Sequence, residues 1–407
     1  MQRKIIFINS HPIQYFAPLY RHLTESGLCV EAWYCSDVSI RGGHDKEFGV
    51  EVKWDIPLLE GYKYRFFKNY SLRPSVSGAF FGVVNFGMIR AMLREKDAIY
   101  VVHGWQFFSY VLVILWGALL GRTIGLRVET PWNQVLPPKG FFKRLKNFVV
   151  RAIFFRSAEH FFYIGKQNLE FYLNQGVSQN KLFYTPYAVD NDRFTKSYLE
   201  IQKSSFSVRQ SMGIARDAKV VLYSGKYIEK KRPLDLIKAF NLLNRSDLYL
   251  IMMGEGMLRA EMEQYIKNHR ISNVVLTGFV NQAKVAGYYT ASDIYVMCSG
   301  AGETWGLSIN EAMNFELPII VSDIVGSSED LVEPNVNGSI YPVGDVSKLA
   351  EYLAYWTEDT DRLRKAGRQS GLIVRRFSFQ KIEEGLRRAV EGKEPSVIQN
   401  NLEIDAP

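Results

Sequence analysis

Short apolar runs alternate with amphipathic stretches along the chain. Lys4–Asn9 (KIIFIN), Ala98–His103 (AIYVVH) and Ile124–Glu129 (IGLRVE) predict strands, and Leu19–Glu25 predicts an amphipathic helix after the first of them. A strand, a helix and a second strand at this spacing are typical of a βαβ unit. We therefore expect a mostly parallel sheet covered by helices in the first half of the chain.

A second series of strands begins at Lys219–Ser224 (KVVLYS) and continues through Leu248–Met253 (LYLIMM) and Pro318–Ser322 (PIIVS). Between the two series, Pro186–Met212 contains the turn-rich sequence AVDNDRF and a polar segment, which predict a linker. The expected fold class is α/β, with two Rossmann-like doubly wound domains facing across a cleft, because such sheets bind ligands at the carboxyl ends of their strands. The expected domains are residues 1–190 and 191–375, followed by a helix at 376–391 that crosses back to the first domain and a flexible tail at 392–407.

Charge and cysteine usage narrow the class of partner. The 407 residues carry 50 Lys and Arg against 42 Asp and Glu, and this net charge of +8 indicates acidic partners such as phosphates, anionic lipid or nucleic acid. The sequence has neither zinc-finger spacing nor an RNA-binding signature, so we expect no nucleic acid partner. Three cysteines without a CxxC pair indicate free thiols in a reducing cytoplasm.

Three segments bear on membranes. The start MQRKIIFINS lacks a long apolar stretch and a small-residue cleavage site, so we expect no secretory signal. Tyr110–Leu120 is the longest apolar run, but it is only about half of the roughly 20 residues that span a bilayer, so a buried helix is expected. Lys139–Arg156 interleaves cations with aromatic and aliphatic residues, which suits peripheral contact with the inner face of an anionic membrane. An ordinary amphipathic helix with a core face is the alternative.

The segment Gly302–Gly326 (GETWGLSINEAMNFELPIIVSDIVG) carries the clearest chemical pattern. Glu303 and Glu311 are eight positions apart, with a loop and a helix start between them and a buried strand after them. The backbone N–H groups of a helix start can bind phosphate, and Gly306 lets the backbone approach a ligand closely. Glu303 can accept hydrogen bonds from sugar hydroxyls, and Glu311 can accept both hydroxyls of a ribose. Two surface glutamates beside a helix start are the alternative.

A second pattern, at Tyr223–Ala239 (YSGKYIEKKRPLDLIKA), places cations directly after a strand. Lys226 follows Gly225, and Lys231 comes five residues later. Two cations at the mouth of a strand can clamp a diphosphate and stabilise the charge that develops on a leaving nucleoside diphosphate. A solvated basic turn is the alternative.

Together these two segments resemble the GT4 family of retaining glycosyltransferases, which has the GT-B fold. The first is similar to the family's E-x7-E motif, and the second is similar to its G-R/K-x-x-x-x-K-R/G pattern, with Lys226 where an arginine is more usual. The resemblance implies catalytic roles for Lys226, Lys231 and Glu303. It implies donor contacts by Gly225, Gly254, Gly278, Phe279, Val280, Thr304, Trp305, Gly306, Leu307 and Glu311.

The resemblance also implies a reaction. The first domain would bind the acceptor, and the second would bind a nucleotide sugar, with UDP expected from its frequency in the family. The sugar would pass to a glycan or lipid-linked acceptor in cell-surface polysaccharide synthesis, with the nucleotide sugar as co-substrate and no cofactor or metal. Two alternatives with this fold stay open: a nucleotide-sugar epimerase and a non-catalytic nucleotide-sugar-binding protein.

The amino-terminal half departs from the family at two strand ends. The segment HPIQYFAPLYRHL is similar to the opening of one bacterial subgroup, but its first loop lacks paired glycines, so His11 and Gln14 are predicted to face the donor phosphate or the acceptor. His103 ends another strand and is predicted to point into the cleft. Many relatives place a histidine that contacts the donor sugar at the end of the next strand, where this chain has Glu129 or Thr130. Glu129 is therefore a predicted catalytic residue that takes the histidine's role or makes a different polar contact. A structural ion pair between Glu129 and Arg127 is the alternative.

Overall fold

The protein folds around two parallel sheets, seen in a computed structural model that describes residues 3–45, 49–136, 140–141, 145, 148, 150–201 and 205–395. In this part of the chain the first sheet has seven strands: β1 (Lys4–Asn9), β2 (Val30–Tyr34), β5 (Lys63–Phe66), β6 (Ala98–Val102), β7 (Thr123–Leu126), β8 (His160–Tyr163) and β9 (Leu182–Tyr184). Two short strands form a separate antiparallel hairpin, β3 (Gly43–Asp45) and β4 (Val50–Val52). The second sheet comprises β10 (Lys219–Ser224), β11 (Leu248–Met253), β12 (Val274–Gly278), β13 (Ile294–Met297), β14 (Ile319–Ser322) and β15 (Gly338–Tyr341).

Helices connect and cover these strands. Along the described residues they are α1 (Phe16–Glu25), α2 (Val38–Arg41), α3 (Gly87–Met92), α4 (Phe108–Leu119), α5 (Lys166–Asn174), α6 (Asn191–Ile201), α7 (Ser205–Ser211), α8 (Pro233–Leu243), α9 (Arg259–Asn268), α10 (Val285–Thr290), α11 (Leu307–Met313), α12 (Ser328–Leu331), α13 (Val346–Glu358), α14 (Thr360–Val374) and α15 (Phe379–Val390).

The central strands are apolar on both faces. Every position of β6, β13 and β14 is buried, as is every position of β1 after Lys4. Strands that are covered by helices on both sides have continuous apolar runs, whereas a half-exposed strand would alternate. The uninterrupted runs in the sequence are therefore a consequence of parallel pairing, and the predicted α/β class with two doubly wound sheets is confirmed.

In each sheet the first strand along the chain is central, and the later strands are added on both sides of it. The strand orders are β5-β2-β1-β6-β7-β8-β9 and β12-β11-β10-β13-β14-β15. The chain leaves β1 and β10 toward one side and returns on the other, so the loops that follow neighbouring strands separate there and leave a crevice. The two crevices lie at β1 and β6 in the first sheet and at β10 and β13 in the second.

The segment Pro186–Met212, for which the sequence predicts a linker, is largely helical. It contains α6 and α7, and both helices pack against α10 beside the second sheet. Phe194 and Tyr198, four residues apart on one face of α6, each lie 5.8 Å from the ring of Phe315 between centroids. The segment connects β9 of the first sheet with β10 of the second, as a linker does, but it is helical rather than turn-rich because a few aromatic side chains anchor its helices.

Helix α4 contains the longest apolar run, and it is buried on one face only. Val113 and Ile114 are fully buried, but Leu115, Trp116 and Leu119 are 42%, 38% and 73% exposed. The expectation of a buried helix therefore holds for one face and is wrong for the other. Among the described residues, no helix is long and apolar enough to cross a membrane.

The last helix, α15, packs against β9 and α1 of the first sheet's unit. Its buried residues Phe379, Ile382, Leu386 and Ala389 recur at helical spacing and form one stripe. Gly385 lies on this stripe, and a Cβ atom there would come within 2.0 Å of the Tyr184 carbonyl oxygen. The helix can approach the strand this closely only because residue 385 has no side chain.

We therefore expect Gly385→Ala to lower the free energy of unfolding by about 1–3 kcal/mol, the usual cost of overpacking. Gly287→Ala is the matched control, because a Cβ at Gly287 in α10 would meet Val208 at an ordinary 3.6 Å. Urea unfolding of both variants measures the difference. Equal stability of the two variants would show that α15 does not depend on this close approach.

Candidate functional site

A cavity of about 460 Å³ lies between the carboxyl ends of the two sheets. This volume is within the usual range for small-molecule sites. Thirteen of the residues predicted to bind or act on a donor line it: Gln14, Gly225, Lys226, Lys231, Gly254, Phe279, Val280, Glu303, Thr304, Trp305, Gly306, Leu307 and Glu311. The two sequence patterns therefore meet in one place, although their roles remain predictions.

The floor of the cleft is formed by the loops that follow β10 and β13. The N–H of Gly300 donates to the carbonyl oxygen of Lys230 at 2.7 Å, which joins the two loops at the crevice of the second sheet. The ammonium of Lys231 forms a hydrogen-bonded ion pair with the carboxylate of Glu303. The two predicted patterns are thus in direct contact through their charged groups.

Glu303 is ionised and buried at this contact. Only 8% of the residue is exposed. Burial alone would raise the pKa of its carboxyl, but the charge of Lys231 and the hydrogen bond from it lower that pKa below the ordinary value. The result is a fixed negative charge that holds the Lys231 ammonium at the cleft wall.

Two glycines let the backbone form this floor. A Cβ at Gly254 would lie 1.9 Å from the Gly225 carbonyl oxygen, so the loops after β11 and β10 pack without a side chain between them. Gly306 has a φ of 90° directly before α11, and a Cβ there would lie 2.6 Å from Sδ of Met297. Its conformation favours glycine, and the first two residues of α11, Leu307 and Ser308, line the cleft.

Glu311 lies at the other end of the cleft and is 3% exposed. Its carboxylate accepts hydrogen bonds from the hydroxyl of Tyr289 at 2.8 Å, the hydroxyl of Tyr15 at 3.2 Å and the amide of Gln282 at 3.4 Å. Burial raises its pKa, against the opposing effect of these hydrogen bonds. Tyr15 belongs to the first sheet's unit, so the contact joins the two halves of the molecule.

The hairpin of β3 and β4 adds a wall that the sequence does not predict. Trp54 lines the cleft, and its ring lies 6.1 Å from that of Phe279 between centroids. The neighbouring backbone is fastened to the second unit, since the amide of Asn281 donates to the Lys53 carbonyl at 2.7 Å. The Asp55 carboxylate also accepts from the N–H of Ala283 at 3.2 Å. Two aromatic rings from different units thus face one end of the cleft.

Gln134 is a further residue that the sequence patterns miss. Its amide donates to the carbonyl oxygens of Glu303 at 2.9 Å and Ile324 at 2.7 Å, and it accepts from the N–H of Gly302 at 2.7 Å. A side chain from the first unit therefore fixes the loop that carries Glu303. Nothing in the local sequence around Gln134 indicates this role.

His11 and Gln14, predicted to face donor phosphate or acceptor, are placed differently. Gln14 lines the cleft, but His11 does not, and its Nδ1 lies 2.9 Å from the Ser10 hydroxyl. Burial lowers the pKa of His11 to about 4, so the imidazole is neutral at neutral pH. Contact with a phosphate would therefore be a hydrogen bond rather than an ion pair.

His103 and Glu129 lie together at the ends of β6 and β7, outside the residues that line the cleft. Nδ1 of His103 is 3.9 Å from Oε1 of Glu129, beyond hydrogen-bond distance. Burial and the charge of Arg127 lower the pKa of His103. Burial would raise the pKa of Glu129, but the nearby imidazole and Arg127 lower it, so Glu129 is an anion beside a neutral histidine.

Arg127 does not form the ion pair with Glu129 that the sequence left open. Its guanidinium stacks on the ring of Tyr187 at 4.8 Å, and two of its nitrogens have no hydrogen-bond partner among the described residues. Tyr187 in turn lines the cleft, 5.9 Å from the ring of Trp305 between centroids. Tyr187 thus separates this charged group from the cleft, and the catalytic role predicted for Glu129 remains a prediction.

Two other predictions concern segments that the structure describes only in part. Much of the predicted membrane segment 139–156 lies outside the described residues, as does most of the predicted tail at 392–407. Phe141, Leu145 and Phe148 are described, and they are 72%, 45% and 67% exposed. Within the described chain, no three His, Cys, Asp or Glu side chains are grouped so that they could hold a metal ion. Metal independence stays a prediction for experiment.

Comparison with known proteins finds a family model that matches part of the chain and solved structures that share its fold. Residues 205–372 match the sequence model of the family described as "Glycosyl transferases group 1". The crystal structure of Anabaena HepE in complex with UDP has a TM-score of 0.72 with this chain at 17% identity, and the match covers 96% of this chain and 100% of that one. This likeness confirms the GT-B fold predicted from the sequence.

Curated relatives match mainly over part of their length. A phosphatidyl-myo-inositol mannosyltransferase of Mycobacterium leprae is 27% identical over 192 residues, which make up 46% of this chain and 50% of that protein. An N-acetylgalactosamine-N,N'-diacetylbacillosaminyl-diphospho-undecaprenol 4-alpha-N-acetylgalactosaminyltransferase of Campylobacter jejuni is 24% identical over 273 residues, 65% of this chain and 70% of that protein. The chain spans about half the length of the first curated relatives it matches.

Proposed function

We propose that this chain, whose residues 205–372 match the sequence model of the group 1 glycosyl transferases, transfers a sugar from a nucleotide sugar to a glycan or lipid-linked acceptor. The observation that carries the proposal is that the Lys231–Glu303 pair and Glu311 lie in one cleft at the crevice of the second sheet. A cationic group and a ribose-binding carboxylate at the two ends of a cavity suit the two ends of a nucleoside diphosphate.

The position we propose for the donor follows from the chemistry of the residues that line the cleft. Its diphosphate lies against Lys226, Lys231 and the backbone that begins α11, because cations and unpaired N–H groups attract phosphate oxygens. The ribose hydroxyls donate to the carboxylate of Glu311. The nucleobase then lies against the aromatic side chains of Trp54 and Phe279, whose rings meet edge to face where the two units meet.

The reaction we propose proceeds with retention of configuration. The bond between the anomeric carbon and the bridging diphosphate oxygen breaks, and its electron pair goes to that oxygen. The acceptor hydroxyl bonds to the same face of the anomeric carbon and passes its proton to a phosphate oxygen of the leaving group. Lys226 and Lys231 stabilise the charge on the leaving diphosphate, which is the step that most needs help. No strong side-chain base and no metal ion are required.

A UDP-sugar is the proposed donor, and a lipid-linked glycan in bacterial cell-surface synthesis is the proposed setting. HepE, which shares the fold, was crystallised with UDP. The names of two relatives specify a phosphatidyl-myo-inositol and a diphospho-undecaprenol acceptor, and both are lipid-linked. These similarities support a UDP-sugar and a lipid-linked acceptor for this chain.

The proposal is tested by measuring melting temperature with UDP, GDP and ADP. A ligand at 100 times its Kd stabilises the folded protein by about 2.7 kcal/mol, so we expect UDP to raise the melting temperature measurably. Trp54→Ala should reduce this rise, whereas Trp116→Ala on the exposed face of α4 should not. If no nucleotide at millimolar concentration stabilises the protein, the proposed donor site is wrong.

Product analysis then separates the reaction from its alternatives. A transferase releases UDP and needs an acceptor for full rate, an epimerase converts one UDP-sugar into another, and a binding protein leaves the donor unchanged. The chelator EDTA should not affect UDP release. Activity lost on chelation and restored by manganese would contradict the metal-free mechanism.

A further inference from the structure

Five aromatic side chains form a continuous cluster on the surface of the first unit. The aromatic cluster consists of Tyr70, Phe80, Phe81, Phe86 and Phe108, and its neighbouring ring centroids are 4.9–6.4 Å apart. Tyr70, Phe81 and Phe86 are each at least 50% exposed. Single exposed apolar residues are common on proteins, but a contiguous group of this size marks an interaction site.

The outer face of α4 continues this surface. Leu115, Trp116 and Leu119 are exposed and follow Phe108 at seven, eight and eleven positions, so they share one side of the helix. Helix α4 has no charged residue, whereas the outer face of a surface helix is normally polar. The aromatic cluster and this helix face together are called the docking face here.

Positive charge surrounds the docking face. From Gly61 to Arg94 the sequence has six lysines and arginines and no aspartate or glutamate. Lys68 lies over the ring of Tyr70 at 5.0 Å, and Arg90 is exposed on α3, which packs against α4. Among the described side chains, Arg73, Arg90 and Arg94 have no ion-pair partner, so their charges are available to an external anion.

We propose that the docking face binds the surface of an anionic lipid bilayer. Aromatic side chains are favourable at the boundary between headgroups and acyl chains, and flanking lysines and arginines are attracted to anionic lipid. The aromatic cluster supplies the first group, and the cations between Gly61 and Arg94 supply the second. The residues of this surface lie outside the predicted membrane segment 139–156 in the sequence, and the proposal does not depend on the sugar-transfer reaction.

The charge pattern also argues against a second copy of the chain as the partner that covers the docking face. In a symmetric dimer the same face meets itself, so the cations around it would repel one another. Protein interfaces are depleted in lysine and charged groups at their centre, but a bilayer containing anionic lipid offers complementary charge over the whole face. A bilayer is therefore the occupant that both the apolar and the cationic residues fit.

The test is co-sedimentation with vesicles, in the absence of nucleotide. We expect the wild type to bind vesicles of mixed phosphatidylglycerol and phosphatidylcholine, and to bind pure phosphatidylcholine at least about tenfold less tightly. Phe81→Ser with Phe86→Ser should reduce binding to the mixed vesicles by about tenfold or more. Leu242→Ser with Leu372→Ser is the control, since both residues are exposed apolar positions on the second unit, 61% and 50% exposed.

A second pair of variants tests the electrostatic part. Arg90→Glu with Arg94→Glu should weaken binding to the mixed vesicles and remove much of its salt dependence, whereas Lys238→Glu with Lys365→Glu on the second unit should not. Circular dichroism melting checks that each variant is folded.

The proposal is overturned if the wild type does not prefer anionic vesicles, or if the phenylalanine and arginine double variants on the docking face bind as the wild type does. Light scattering that shows a dimer lost in the phenylalanine variant, without vesicle binding, would assign the face to a second copy instead.

Discussion

Lys231→Ala is expected to lower the rate of nucleoside diphosphate release from the donor by about 10²–10³-fold, the usual effect of removing one preorganised group that stabilises a developing negative charge. In the structure the ammonium is held at the cleft wall by the buried carboxylate of Glu303. It therefore needs little rearrangement when charge appears on the leaving diphosphate. Initial rates of UDP release at saturating donor measure the effect.

The control is Lys238→Ala, which removes an exposed lysine of α8 and should leave the rate unchanged. Removing Lys231 also leaves Glu303 as a buried carboxylate without its cation, and breaking such a pair can destabilise a protein by roughly 3–5 kcal/mol. The double variant Lys231→Ala/Glu303→Gln removes that unpaired charge. If it regains stability but not rate, the loss of rate comes from the missing charged pair and not from unfolding. If kcat is normal and only KM rises, Lys231 contributes to donor binding alone, and the proposed mechanism is wrong.

The sequence predicts the groups that lie directly after strands. Lys226 and Lys231 follow β10, and Glu303 follows β13, so the position of each is set by its own strand and by the rule that parallel strands end at one edge. The same local reasoning predicts both sheets, because central parallel strands are continuous apolar runs. Local sequence patterns are therefore sufficient to predict a site residue when the strand that precedes it sets its position.

The parts that the sequence does not predict depend on contacts between distant segments. Tyr15 and Gln134 act on residues 296 and 169 positions away, Glu311 and Glu303, and no local pattern reports such distances. The helices within the linker are not predicted for a related reason, since the polar composition of 191–211 does not reveal the tertiary surface that a few aromatic residues cover. His103 ends its strand as expected, but packing around Tyr187 places it outside the cleft.

Glu311→Gln is expected to weaken the binding of UDP by about 10²-fold or more. In the proposed donor site the Glu311 carboxylate accepts hydrogen bonds from both ribose hydroxyls, and each hydrogen bond to a charged group contributes about 1.5–3 kcal/mol. Glutamine keeps the volume of the side chain and one acceptor for the hydroxyl of Tyr289, so the fold should be retained. Calorimetric titration with UDP gives the affinity, and Glu351→Gln on the exposed face of α13 is the control.

The pH dependence of binding gives an independent check on the same carboxylate. Burial raises the pKa of Glu311, so as the pH falls this carboxyl becomes protonated at a higher pH than an ordinary glutamate does. Affinity for UDP should therefore be present at neutral pH and decline on acidification earlier than an exposed carboxylate would predict. In Glu311→Gln this decline should disappear, and in Glu351→Gln it should remain.

The variant Tyr15→Phe distinguishes two explanations of that result. Its hydroxyl donates to the same carboxylate that we assign to the ribose, and this hydrogen bond favours the ionised form of Glu311. If the ribose takes its place, Tyr15→Phe should bind UDP at neutral pH at least as tightly as the wild type, because a competing donor is gone. The acidic decline should also shift to higher pH, because the pKa of Glu311 rises further without the hydroxyl. A large loss of affinity in Tyr15→Phe would mean that the tyrosine contacts the nucleotide directly and that Glu311 holds Tyr15 rather than the ribose.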